Sequence, residues 1–168
     1  MKPYIQYLNY VVRHKWYVFL ECVKLGIPWR GITHDLSKFR PSEFFPYAAH
    51  FYGYKKEITE TRDKTGYYKP TDTGDPAFDK AWHYHAHRNR HHWQWHLQPT
   101  EDIANKVFEM EADDITEMVA DWRGAGKAQG FATVKEWYKQ NKNRMVFGPN
   151  TRREVEALLA KLGELDES

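Results

Sequence analysis

The sequence is short of cysteine, of long apolar runs and of net charge, and each shortage excludes a class of protein. One cysteine, Cys22, in 168 residues rules out an internal disulfide framework and thiolate-rich metal chemistry. The most apolar stretch, Tyr10 to Ile27, is broken by Arg13, His14, Lys15, Glu21 and Lys24, so no membrane-spanning helix is expected. Lys and Arg number 25 against 23 Asp and Glu, leaving a net charge of +2 that is too weak to mark a nucleic-acid-binding surface. No apolar leader segment follows Met1-Lys2-Pro3, which with the lone cysteine gives the expectation of a reducing, cytoplasmic setting. Strand-like alternation, internal repeats, low-complexity tracts, Walker-type glycine loops and nucleophile-elbow motifs are also missing.

Aromatic residues are plentiful, at 16% with seven Trp, and the chain has the length of one domain, so a single unit over 1–168 is expected. Tyr4, Tyr7, Leu8, Val11, Val18, Cys22 and Leu25 recur at helical steps, with His14 inside the apolar stripe and Gly26 and Pro28 ending the helix. A short helical segment from Ile27 to Leu36 carries His34-Asp35, and another starts at Pro41 and Glu43. Gly53 to Gly74 reads as a long surface loop. Asp75-Pro76 opens a helix expected to reach Leu97, and a further one is expected over Val107 to Trp122 with Gly124 as its stop. Thr133 to Glu136 and Thr151 to Glu154 read as capping boxes of two C-terminal helices within 131–165. The expected fold class is all-α.

Nine histidines are a surplus, and six of them (His83, His85, His87, His91, His92 and His96) fall on the expected 75–97 helix. At about 100° per residue, His85, His92 and His96 share one face and His83, His87 and His91 nearly the opposite one, so they cannot all converge. Adjacent ligands about 100° apart, His91 with His92 or His34 with Asp35, can straddle one metal. Imidazole and carboxylate together suit Mn²⁺, Fe²⁺, Co²⁺, Ni²⁺ or Zn²⁺. Such an ion acidifies its water and polarises a phosphoryl oxygen, so no protein nucleophile is required. The competing structural accounts are a helix C-terminus for His34-Asp35, a core histidine for His14 and a solvated helix face for His91 and His92. Asp121 competes with Asp114 and Glu117 as a late carboxylate on the same helical face.

His14, then His34-Asp35 within Thr33-His34-Asp35-Leu36-Ser37-Lys38, then His91-His92, then Val119-Ala120-Asp121, is an order that resembles the HD-domain superfamily of metal-dependent phosphohydrolases. The resemblance spans 14–121 and departs from the superfamily in a short His14 to His34 spacing and in Ser37 where a glycine is usual. The chain as a whole also resembles a group of small phage and bacterial proteins. The likeness implies a compact helical bundle with its metal-site core in about 1–124. It also implies metal ligands at His14, His34, Asp35 and Asp121, with His87, His91 and His92 grouped as in dinuclear branches that hold a second ion. Lys38 would neutralise substrate phosphate, with Arg88 or Arg90 as planar alternatives. Glu43 would act as a general acid or base if the intervening turn folds back. The expected activity is hydrolysis of a nucleotide or related small phosphate ester. The alternatives are a di-iron oxygenase of the same superfamily and a non-catalytic module that binds a nucleotide or a protein. The expected partners are the phosphorylated substrate and, as a further candidate, a second copy of the chain in a homodimer.

Overall fold

A computed structural model describes residues 1–53, 72–101, 104–130 and 133–166, so most of the loop expected over Gly53 to Gly74 lies outside the described residues. Its spine is helix α1 (Lys2–Lys24), which buries Tyr7, Val11, His14, Val18 and Cys22 along one stripe. Gly26, at φ +81°, turns the chain in the left-handed conformation that a side chain would oppose. Helices α2 (Pro28–Thr33) and α3 (Pro41–Tyr52) follow, each with proline in its first turn, where no backbone donor is needed. Helix α4 (Pro76–Ala86) starts as expected, with Asp75 accepting from the backbone N–H of Phe78 at 3.4 Å.

Helix α4 does not continue to Leu97. It stops at Ala86, and Asn89 holds the turn by donating to the His85 carbonyl at 2.8 Å. Beyond it come a 3₁₀ turn (Trp93–His96) and the hairpin β1 (Leu97–Pro99) and β2 (Asn105–Val107), paired antiparallel with Leu97 opposite Val107. Strands of three residues are too short to show an alternating pattern. The architecture is otherwise all-α, as expected.

Helix α5 (Ala112–Gln129) begins later than Val107 and runs past Gly124 to Gly130, where φ is +86°. Gly124 is a contact point and not a helix stop. A Cβ there would lie 2.7 Å from the backbone nitrogen of Val18 and 2.8 Å from its Cα, so the glycine lets α5 lie directly on α1. Gly124→Ala is expected to cost about 1–3 kcal/mol through overpacking, although alanine is the better helix former by about 1 kcal/mol. Denaturant unfolding of the two proteins measures this, and equal stability would show that the approach has room to spare.

Helices α6 (Lys135–Asn141) and α7 (Pro149–Lys161) complete the described structure, and neither uses the expected capping box. Remote carboxylates cap them instead. Glu164 accepts from the Val134 N–H at 3.1 Å, and Glu109 accepts from the N–H groups of Asn150 and Thr151 at 3.2 and 2.7 Å. The Thr151 hydroxyl is itself spent on Glu109 and on the Met110 N–H.

Buried apolar residues form one cluster across α1, α3 and α4, around Tyr7, Val11, Tyr47 and Phe78, and another across α5, α6 and α7, around Met118, Tyr138 and Leu159. Val18, Cys22 and Ala120 join them where α1 crosses α5. Beside that crossing, the buried Glu21 binds Arg123 at 2.7 Å and also Lys127. Burial pushes the Glu21 carboxyl up, but these cations outweigh it and hold it at about 2. A carboxylate depressed from 4.5 contributes stability that is fully present above pH 4.5 and lost as pH falls towards 2. Glu21→Gln is therefore expected to flatten the acid limb of a stability-against-pH curve in that window. No described helix is long and apolar enough to cross a membrane.

Candidate metal centre

Three local features aim the donors. His14 sits mid-stripe on α1, between Val11 and Val18, so helical periodicity sends it inward. His34 follows α2, and Asp35 then adopts φ +53°, ψ 26°, a left-handed conformation uncommon outside glycine but best tolerated by Asp and Asn. That reversal turns both side chains of the doublet towards α1 and α5. On α5, Asp114, Glu117 and Asp121 share a face.

His14 Nε2, His34 Nε2, an oxygen of Asp35 and an oxygen of Asp121 all lie within 4.8 Å of one another. Both imidazole nitrogens are 3.3–3.4 Å from Asp35 Oδ2 and from Asp121 Oδ1, and 3.4 Å from each other. Tetrahedral donors placed about 2.1 Å from a common zinc-like ion stand about 3.4 Å apart. The four donors are thus already at coordination spacing. Asp121, not Asp114, is the late member: Asp114 is fully buried between Arg30 at 2.8 Å and Arg90 at 3.0 Å.

The other oxygen of Asp35 faces a different group. Asp35 Oδ1 is 3.4 Å from His85 Nε2 and 3.5 Å from His91 Nε2, and the His85 and His92 Nε2 atoms are 2.9 Å apart. Among the described residues, neither Asp35 Oδ1 nor His91 Nε2 has a hydrogen-bond partner, although both are buried. Orphaned buried donors and acceptors are costly, and a cation shared between lone pairs removes that cost. Asp35, His91 and His92 also offer donors within 4.8 Å of one another.

Behind both groups stand carboxylates that fix the rings. Glu117 Oε1 accepts from Nδ1 of His34 at 3.0 Å and from Nδ1 of His91 at 3.1 Å, while Arg30 holds Glu117 Oε2 at 3.2 Å. Because a carboxylate only accepts, each Nδ1 carries a proton and each Nε2 is turned to the centre. His34, His91 and Glu117 also meet the spacing of a metal-binding group. Their separations are ordinary hydrogen-bond lengths, so Glu117 is a supporting group. Glu43 Oε2 does the same for His85 Nδ1 at 3.0 Å.

The electrostatics match. Burial lowers the His34 pKa, but the Asp35 charge and the ring's hydrogen bonds to Asp121, Asp35 and Glu117 raise it well above its ordinary value. Burial, reinforced by His91 and His85, holds His92 well below its ordinary value, leaving a neutral imidazole. Burial alone would raise Asp121, yet His34 and His14 hold it far below the usual carboxylate range.

Several expected roles change. His87 is exposed at the end of α4, with Nδ1 donating to the His83 carbonyl at 2.8 Å, and takes no part in the cluster. The helix ends before it could turn inward, and His85 occupies the place expected of it. Glu43 is fully buried, bound by Ser37 at 2.7 Å and Arg88 at 2.5 Å as well as by His85, so it positions a ring and is not placed to exchange protons with a substrate. Arg88 is engaged by Glu43 through Nη1 and Arg90 by Asp114 through Nε. Lys38 does join the cluster, with Nζ 2.5 Å from Asp35 Oδ2. Trp82 borders it, 5.3 Å from His92, whereas Trp122 packs into the α5–α7 core.

The chain belongs to a family of unknown function, DUF5662, whose model matches residues 4–161. No curated protein and no solved structure matches it.

Proposed function

We propose that the protein is a metal-dependent phosphohydrolase acting on a nucleotide or related small phosphate ester. One observation carries this reading: buried imidazole and carboxylate donors from α1, the α2–α3 connection, the turn after α4, and α5 stand at coordination spacing around Asp35. His14, His34, Asp35 and Asp121 would hold one divalent cation, and Asp35, His85, His91 and His92 a second. When bound, such a cation supplies an activated water and polarises a phosphoryl oxygen.

The protein's own side chains bind, orient and neutralise. Glu117 and Glu43 hold Nδ1 of His34, His91 and His85 and so aim the opposite ring nitrogens. The Lys38 side chain, 13% exposed, and that of Asp121, 16% exposed, lie at a partly exposed edge of the cluster. There the ammonium would meet incoming phosphate as a point charge. Cys22 is buried, and its thiol is pushed up to about 11, which makes it a poor nucleophile.

The test is phosphate release from nucleoside mono-, tri- and cyclic phosphates by metal-stripped protein reloaded with Mn²⁺ or Co²⁺. Turnover that requires the ion and disappears in the His34→Ala/Asp35→Ala protein is the expected result. Full activity in that variant would overturn the site. Oxygen uptake by an iron-loaded protein without phosphate release would favour the oxygenase, and nucleotide-raised melting without turnover the binding module.

A further inference from the structure

Helix α1 has a second apolar stripe that the described residues leave exposed. Ile5, Leu8, Val12, Trp16 and Val23 follow one another at steps of three, four or seven residues and remain exposed, Ile5, Val12 and Trp16 each by more than half (58%, 56% and 57%). This row lies about 130° around the helix from the buried stripe and runs about 27 Å along it. It is widened at both ends. Near the N-terminus, Phe45 of α3 meets Tyr4 edge to face at 5.4 Å. Near the C-terminus, Gly31 lets α2 lie against Phe19, since a Cβ there would fall 2.9 Å from the Phe19 Cα. The exposed Trp29 (77%) and Ile32 of α2 therefore stand beside the row.

We propose that this face is the interface of a two-fold homodimer, with α1 packed antiparallel on α1 of a second copy. The reading is independent of the proposed phosphohydrolase activity. Three observations support it. The first is area: large aromatic side chains bury about 150–250 Å² each. Side chains of this size, half exposed over three helices, amount to roughly 800–1,000 Å², above the few hundred Å² usual on a monomer and close to the share each partner needs in a stable dimer.

The second is self-complementarity. A two-fold axis at Val12 sets Val12 on its own copy, Leu8 against Trp16 and Ile5 against Phe19, so the same patch meets itself with an aliphatic side chain facing an aromatic one at the two outer levels. The third is charge. On the side of the row that faces α2, Lys15 turns its ammonium inward to the carbonyls of Ile32 and His34, while Lys2 and Arg13 are exposed on the far side. The α2 side, where Trp29 and Ile32 widen the face, therefore presents no outward Lys15 charge to an apolar partner.

Light scattering on the full chain at micromolar concentration is expected to give the mass of a dimer. Val12→Glu/Trp16→Glu is expected to give a monomer with unchanged helical circular dichroism, both positions being exposed. Val12→Cys in the otherwise intact chain is expected to oxidise to a covalent dimer through the two-fold axis, the native Cys22 being buried. That variant keeps the test open if the charged pair misfolds. A wild-type monomer would overturn the proposal, as would a dimer indifferent to Val12→Glu/Trp16→Glu that never cross-links through Val12→Cys. A monomer that sediments with phosphatidylserine vesicles would assign the face to a membrane instead.

Discussion

Asp35→Asn is expected to abolish tight divalent-metal binding, with a loss beyond the 10- to 100-fold typical of groups that merely support ligands. Asp35 faces His14 and His34 through one oxygen and His85 and His91 through the other, so one substitution weakens both groups of donors. Asparagine tolerates the left-handed backbone at this position, φ +53°, which separates the lost charge from any backbone penalty. The metal-free protein should suffer as well. Lys38 rests on Asp35 with its side chain largely buried, and removing the carboxylate leaves that ammonium unpaired. Breaking a buried pair in this way costs about 3–5 kcal/mol, or on the order of 10 °C in melting temperature. Calorimetric titration with Zn²⁺ or Mn²⁺ and thermal melts of both proteins measure the two effects. Wild-type affinity in the variant would remove Asp35 from the centre.

Glu117→Gln is expected to lower metal affinity by about 10- to 100-fold without removing a ligand. The native carboxylate accepts from His34 and His91 through a single oxygen and is itself held by Arg30. Burial raises its pKa, but the hydrogen bonds from His34 and His91 bring it down to about 2, so it is an anion throughout the neutral range. Glutamine offers a neutral, weaker acceptor to two N–H donors, and its own N–H₂ group would face the Arg30 guanidinium or the histidine donors. The rings then lose the contact that aims Nε2 and raises its basicity as a ligand. A Co²⁺-loaded sample reads this directly, because the ligand set and the visible spectrum should persist while the dissociation constant rises. Unchanged affinity would show that ring orientation is set by packing alone.

The elements most legible in the sequence were those governed by local rules. The α1 stripe with His14 at its centre, the proline start of α3, and the Asp75 cap all follow from spacing and residue type within one turn, whereas the segment expected over Ile27 to Leu36 is α-helical only over Pro28–Thr33. The doublet His34-Asp35 was legible as a pair, but not the left-handed turn that makes the pair converge. What failed depended on distant partners. Asn89 ends α4 through contacts to His85 and Ser37, and only this turn returns His91 and His92 to the centre. A continuous helix would have sent His91 away from His85. The two threonine boxes lost to Glu109 and Glu164, which reach in from other parts of the chain. Helical spacing alone puts Asp114, Glu117 and Asp121 on an equal footing; their partners separate them, Arg30 and Arg90 for Asp114, histidine Nδ1 atoms for Glu117 and histidine Nε2 atoms for Asp121. Glu117 would have been identifiable only from a structure, since its signal is a pair of Nδ1 contacts from histidines far away in sequence.

The central claim is that the side chains around Asp35 form a metal centre, and metal binding tests it before any substrate is known. Chelator-stripped wild-type protein, titrated with Zn²⁺, Mn²⁺ and Co²⁺ and melted at each step, should bind one or two ions per chain and melt at a higher temperature as the sites fill. The Asp35→Asn protein should show neither effect. Wild-type protein that binds no more metal than the variant, with no rise in melting temperature, would contradict the account.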